Sequence, residues 1–464
     1  MAKRRRTTQV LPSAGRLVNS LRDLGYEATE AVADLVDNSI AAGARNVEIT
    51  IEFDGADSWI RIADDGRGMD AATINEAMRY GSHRDYDDDD LGRFGLGLKT
   101  ASMSQCRRLT VASRPSKKVV RIEARQLDLD LVEESDSWDI VILGADERPK
   151  RLREPLLKHT GTVVLWEDLD RILNYKNPGS EWARQRLLNL AETLDTHLGM
   201  VFHRFLAGEV PRRAKLRISI NGTRVEPWDP FVRAEPATVE LKPLELELNA
   251  SNGSGIVRLE PFVLPPRDSF TSDTVHRRAA GPENWNRQQG LYIYRSFRLI
   301  QSGGWSRMRT QDEHTKLARI ALLFNPELDA TLGINVAKMR VTLPPELKDL
   351  LREPVAETVA RAQAVYRSKP DQPSSGGRSG RGGATGRGAT NGGSGGSTSP
   401  ANSGSSDVTA AGEGESSGNG ALGPLERRKA LERAAGAAKE RKALKKIIRA
   451  MAKTDEEAVR DLGW

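Results

Sequence analysis

Cysteine is close to absent: Cys106 is the only one in 464 residues. A lone thiol closes no internal disulfide, and no Cys/His grouping has the spacing of a structural zinc site. The expectation is a metal-free scaffold from a reducing compartment, the cytoplasm. Long apolar runs are missing as well. No stretch approaches the roughly 20 apolar residues that cross a bilayer, and the basic opening Met1-Ala2-Lys3-Arg4-Arg5-Arg6 is not followed by the apolar run of a signal peptide. A soluble protein with no membrane partner is expected. A strong excess of one charge is also lacking, since 70 basic residues face 64 acidic ones for a net +6. That balance is compatible with nucleic acid without selecting it. Residues 1–10 form a basic arm, read first as a solvated terminus and second as a segment touching nucleic acid.

With 38% hydrophobic residues, the chain has material for two folded units once a non-globular tail is set aside. The first covers residues 11–175. Between Gly25 and Ala42, Val32, Leu35, Val36 and Ile40 recur at helical spacing, and Asp34, Asp37, Asn38 and Ala41 share the opposite stripe, which predicts an amphipathic helix. Alternation predicts strands over residues 47–53 and 59–63, with helices over 71–80 and 97–105. Further strands are predicted at 108–113, 119–124, 139–143 and 161–166. The mixture predicts an α+β fold with a helix layer on one face of a mixed sheet. Residues 176–367 read as a second α+β domain: a helix over 181–206, a hairpin turning at Asn221-Gly222, strands at 256–263, 290–294 and 317–324, and a closing helix over 345–366. Residues 368–424 are Gly- and Ser-rich and cannot bury enough apolar surface to fold, so they read as a disordered linker. Residues 425–464 read as a basic amphipathic helical tail with Leu431, Leu444, Ile447, Ile448 and Met451 as its apolar stripe.

Four short elements carry chemistry. In Asp34-Leu35-Val36-Asp37-Asn38 the carboxylate and the carboxamide are four residues apart, one helical turn, and so face one cavity. Asn38 offers a carbonyl oxygen to Mg2+, a hard cation that shares its sphere with phosphates. Asp34 is placed to orient or deprotonate an attacking water. The second element, Ile62-Ala63-Asp64-Asp65-Gly66-Arg67-Gly68-Met69, ends a strand in a turn. Its carboxylate can accept from an exocyclic amine, which separates adenine from guanine, and its glycines let backbone approach the ring. The third, Leu91-Gly92-Arg93-Phe94-Gly95-Leu96-Gly97-Leu98-Lys99, leads glycines straight into a helix whose positive end and lysine suit an anion. Its spacing is neither the P-loop nor the dinucleotide fingerprint. The fourth is Thr160-Gly161-Thr162, where a hydroxyl can meet the base or its water.

In this order the four elements resemble the N, G1, G2 and G3 boxes of the GHKL (Bergerat-fold) ATPase superfamily, which includes the DNA gyrase B subunit, the heat-shock chaperone, histidine kinases and MutL repair proteins. The resemblance implies ATP and Mg2+ as cofactors. It makes Asp34 the general base and Asn38 the Mg2+ ligand, with Asp64, Gly66, Gly68, Met69 and Thr162 at the base pocket. Gly92, Gly95, Gly97 and Lys99 fall at the triphosphate, and residues 79–90 become a lid that closes on nucleotide. Met78-Arg79-Tyr80-Gly81-Ser82 and Gly95 to Met103 look closest to the microrchidia (MORC)-like and bacterial members. Residues 218–230 and 292–300 resemble the transducer-like second domain of that group. By the same resemblance Lys338 would reach the γ-phosphate. In two places the chain departs from the pattern: Asp34 stands where most hydrolysing members have Glu, and Ala41 where an Asp is common. The shorter base implies slow turnover, with Glu30 or Asp37 as possible substitutes.

The function expected from this resemblance is ATP hydrolysis coupled to lid closure and to dimerisation of the N-terminal domains, acting on DNA or a DNA-associated partner. A chaperone-like ATP-binding scaffold with little hydrolysis is the alternative. A histidine kinase is a third reading, disfavoured because His83, His159 and His203 lack the setting of a phospho-accepting helix.

Overall fold

A computed structural model of the chain describes residues 12–23, 26–81, 97–116, 118, 121–250, 253–334 and 341–367. The basic arm, the linker, the tail, most of the lid and Lys338 lie outside the described residues. The chain opens with α1 (Ala14–Arg22) and α2 (Ala28–Ala41), followed by β1 (Asn46–Glu52) and β2 (Trp59–Asp64). Next come α3 (Ala71–Met78), α4 (Gly97–Met103), β3 (Arg108–Arg114), β4 (Glu123–Asp128), α5 (Leu129–Ser135), β5 (Val141–Ile142), α6 (Lys150–Lys158) and β6 (Gly161–Glu167). Then α7 (Glu181–Val201), α8 (His203–Ala207), β7 (Arg217–Ile220) and β8 (Thr223–Arg224) complete the first sheet. Its eight strands run in the order β5-β4-β3-β6-β2-β1-β7-β8. Every neighbouring pair is antiparallel except β1 and β7, so the sheet is mixed, as the sequence predicts.

Side chains alternate across that sheet because strand residues point to opposite faces in turn. On β6, Val164 and Trp166 face the main core with Val32, Leu35, Val36 and Ile40 of α2. Val163 and Leu165 face the reverse side with Leu152 and Leu156 of α6. One helix therefore lies on the face opposite the main helix layer. Removing a side chain such as Ile62, buried under α2, would cost about 2–5 kcal/mol.

Several boundaries differ from the sequence reading. The strand predicted at 119–124 runs at Glu123–Asp128 instead, four residues later, pairing with β3 from Glu123 to Asp128. The helix predicted over 181–206 is two helices, interrupted at Phe202, whose φ of −105° and ψ of 17° break the helical bond pattern. Residues 217–224, placed by the sequence in the second unit, join the first sheet, β7 pairing with β1 and β8 with β7.

The second sheet gathers β9 (Val239–Glu240), β10 (Leu244–Ala250), β11 (Gly253–Val263), β12 (Gly290–Arg295), β13 (Arg298–Gln301) and β14 (Ala318–Phe324). Its order is β10-β11-β14-β12-β13, with β9 beside β11. Short helices α9 (Asp273–Ala279) and α10 (Asn284–Arg287) fall between β11 and β12, and α11 (Pro345–Arg367) closes the unit. Leu347, Leu351, Val355 and Val359 of α11, spaced by a turn, bury against this sheet in a core separate from the first. Cys106 is fully buried in the first core, where its thiol donates to Ser102 O at 3.2 Å and burial pushes its pKa up.

Candidate functional site

The corner at the end of β2 is built from the carboxylate outward. Asp64 Oδ1 accepts from the backbone N–H of Gly66 at 2.9 Å and of Thr162 at 3.2 Å, and Oδ2 accepts from the Ser39 hydroxyl at 3.1 Å. Three segments far apart in sequence thus hold one side chain. Burial raises the Asp64 carboxyl to about 6, and these hydrogen bonds work against that rise. The glycines are needed for closeness. A Cβ on Gly68 would sit 2.3 Å from Arg114 O and one on Gly161 would sit 1.9 Å from Asp64 O, and both residues have positive φ. The Met69 N–H donates to Ser113 Oγ at 2.7 Å, and that oxygen lies 3.0 Å from Thr162 Oγ1. Asp64, Gly66, Gly68, Met69 and Thr162 are therefore brought together. Ser39 and Ser113 join them without having been singled out by the sequence.

α2 supplies the other wall. Ala31, Val32, Leu35, Val36 and Ile40 anchor it in the core, and Asp34 and Asp37 are nonetheless buried, at 4% and 0% exposure. Asn38, one turn after Asp34, is exposed. The Tyr26 hydroxyl donates to Asp34 Oδ2 at 3.1 Å, and burial followed by the nearby Asp34 charge pushes the phenol pKa well up. Gly97 opens α4 beside this carboxylate, with its Cβ position 3.6 Å from Asp34 Oδ2. The helix start and the acidic side chain thus border one space. Glu30, one turn before Asp34, is raised to about 6 by burial, with the Arg298 charge opposing. His197 Nε2 lies 3.7 Å from Glu30 Oε1. Burial and then Arg298 draw His197 down to about 4, so the ring is neutral at pH 7 and contributes no ion pair.

Lys99 is buried on α4. Its ammonium donates to Ala77 O at 2.9 Å, at the end of α3, and burial lowers its pKa to about 8. In this conformation the lysine meets the helix leading into the lid segment. Gly92, Gly95 and Lys338 lie outside the described residues. One charged group escaped sequence reasoning: Arg298, on β13 of the second sheet, whose Nε lies 2.8 Å from Asp37 Oδ2. Only the fold brings residue 298 to residue 37, so no local pattern announces the contact.

Residues 26–157 match the family model described as histidine kinase-, DNA gyrase B-, and HSP90-like ATPase. This segment is a GHKL ATPase domain. It runs from Tyr26, before α2, to the last turn of α6, so Asp34, Asp64 and Gly97 fall inside it and Thr162 just beyond. Among curated proteins, the chain is 30% identical over 196 residues to the DNA mismatch repair protein MutL of Chromohalobacter salexigens, covering 41% of this chain and 26% of that one. It is also 30% identical over 204 residues to MutL of Rhodospirillum rubrum, covering 43% and 28%. Against MutL of Cellvibrio japonicus it is 28% identical over 220 residues, covering 46% and 30%. The matched region thus spans between a quarter and a third of those relatives' length. Beyond the GHKL domain, no helix among the described residues is long and apolar enough to cross a membrane.

Proposed function

We propose that the chain is a Mg2+-dependent ATPase whose nucleotide lies between the Asp64 corner and the start of α4. The observation that carries this reading is the triple hold on Asp64 by Gly66, Ser39 and Thr162 inside an ATPase-type domain. An ionised carboxylate fixed in that way accepts the adenine amine, and Gly66, Gly68 and Gly161 let the surrounding backbone pack closely enough to hold it there. ATP fits these groups. Asn38, exposed one turn beyond Asp34, would hold Mg2+ through its side-chain oxygen. The metal supplies charge neutralisation of the phosphates. Asp34 receives the proton of the attacking water, Gly97 presents the helix start to phosphate oxygens, and Lys338 would reach the γ-phosphate. Lys99 leaves Ala77 O to meet phosphate as the lid segment closes.

In this reading the ATP-binding domain, expected over residues 11–175, extends through the first core to about residue 227, and the unit from Trp228 to Arg367 is a transducer-like domain that relays closure, with pairing of the N-terminal domains of a homodimer. The lid motif and the 292–300 segment support a kinship with MORC-like and bacterial members of the superfamily. The partner is DNA or a DNA-associated protein. The names of the MutL relatives and the basic residues of the 1–10 arm, the 368–424 linker and the 425–464 tail support this. The decisive experiment measures ATP turnover and dimerisation of wild type and Asp34→Asn with and without duplex DNA. Mg2+-dependent turnover lost in the variant supports the reading. Nucleotide binding with phosphate release at background in the wild type favours the chaperone-like scaffold instead.

A further inference from the structure

A side chain of the second sheet, Arg298, reaches α2. Register pairs Arg295 with Arg298, leaving Ser296 and Phe297 as a two-residue turn with φ of 45° and 70°. Positive φ at both central residues is the turn geometry that matches strand twist. Arg298 therefore opens β13 at the tip of a tight hairpin, and it is 1% exposed. Its Nε lies 2.8 Å from Asp37 Oδ2, and a terminal nitrogen lies 3.9 Å from Asp34 Oδ1. The Tyr26 hydroxyl meets the other Asp34 oxygen, so the carboxylate is bracketed by the chain before α2 and by the second sheet. The Phe202 ring stands 5.9 Å from the guanidinium and walls it off. Burial opposes the Arg298 charge, and the Asp37 and Asp34 carboxylates more than compensate.

Three buried charges are a poor source of stability compared with apolar packing. A rigid, always-charged guanidinium is well suited to fixing the place of carboxylates. We propose that Arg298 is a positioning residue for ATP hydrolysis, seating Asp34 and Asp37 from the β12–β13 hairpin so that turnover follows the docking of the second sheet on α2. The proposal rests on Asp34 being the base.

The test compares full-length wild type, Arg298→Gln, Arg298→Lys and Asp34→Asn for kcat, KM, ATP binding and melting temperature. Arg298→Gln is expected to lose about 100-fold in kcat with KM and ATP affinity within about threefold, and Arg298→Lys to recover about tenfold of that loss. The double variant Arg298→Gln with Asp37→Asn removes the Asp37 charge together with its 2.8 Å partner and keeps Asp34, so it relieves most of the buried charge imbalance that would unfold Arg298→Gln. It is expected to keep the low kcat. Wild-type kcat in either glutamine variant overturns the proposal, as does a kcat loss matched by an equal loss of ATP binding. If the glutamine variants overturn the proposal while Asp34→Asn abolishes turnover, the base assignment stands and Arg298 alone is wrong. If Asp34→Asn turns over ATP like wild type, the base assignment fails and takes the proposal with it.

Discussion

Asp64 is poised between two opposing effects, burial that favours its protonated form and three donors that favour its ionised form. With a folded pKa near 6 against an unfolded value near 4, the folded chain holds the extra proton between those limits, so stability contributed by protonated Asp64 is lost as pH rises from about 4 to about 6. The proposed nucleotide recognition runs the other way, because only the ionised form would accept the adenine amine fully. ADP affinity is expected to fall about tenfold from pH 7 to pH 5, beyond any change shown by Asp64→Asn, in calorimetric titration of both proteins. If the two proteins share one pH profile, the carboxylate does not read the base. Gly161→Ala pushes a methyl into Asp64 O and is expected to cost about 2–4 kcal/mol in urea unfolding while weakening ADP binding. At this scale the sequence displayed Asp64, Gly66, Gly68 and Thr162 because each sits in a short motif with its own turn chemistry. Tyr26, Ser113 and Arg298 were illegible because their roles arise from neighbours 8 to 264 positions away, Tyr26 with Asp34 and Arg298 with Asp34.

The long periodic elements were legible as elements, and α2, β1, β2 and α11 lie close to where hydrophobic spacing put them. Short helices such as α5 and α6 were missed because fewer than three turns give periodicity little room to show. α6 also carries Pro155, ordinarily a breaker. The Arg151 carbonyl that Pro155 cannot serve instead accepts from Arg61 at 3.0 Å, a tertiary repair that sequence cannot foretell. The parallel edge of the first sheet is clasped in a similar way. Asn221, at φ 48°, accepts from Ile51 N at 2.8 Å and donates to Ile51 O at 3.2 Å, closing the end of β1. Asn221→Ala loses both bonds and the tolerance for positive φ, so a destabilisation of about 1–3 kcal/mol is expected in urea titration. An unchanged midpoint would mean the clasp carries no weight.

For the molecule as a whole, the two cores meet near residue 227 while the motif pattern suggested a break at 175. The first core includes Leu187, Leu194, Leu198, Phe202, Ile218 and Val225, and the second begins at Trp228. Apolar cover from α7 and pairing from β7 thus belong physically to the layer that carries the proposed ATP site. A fragment of residues 12–227 is expected to melt cooperatively and bind ADP, whereas 12–175 is expected to lose the cooperative transition, since it bares the helix side of the main sheet. Equal melting of both fragments would restore the earlier boundary. On the proposed DNA partner, phosphate-driven binding predicts affinity falling steeply between 50 and 200 mM salt, by about 10-fold or more per few contacts, in a filter or anisotropy assay. Absence of binding at low salt would remove DNA as a direct ligand.

The sole thiol offers a practical opening. Cys106 is sealed in the core with its reactive form suppressed, so maleimide dyes will pass it by in the native protein. Cysteines introduced at Trp182 on α7 and at Ile256 on β11, both exposed, would then be the sole attachment points for a donor and an acceptor. A single molecule so labelled could be watched through successive rounds of ATP, reporting whether the two cores approach and part once per turnover.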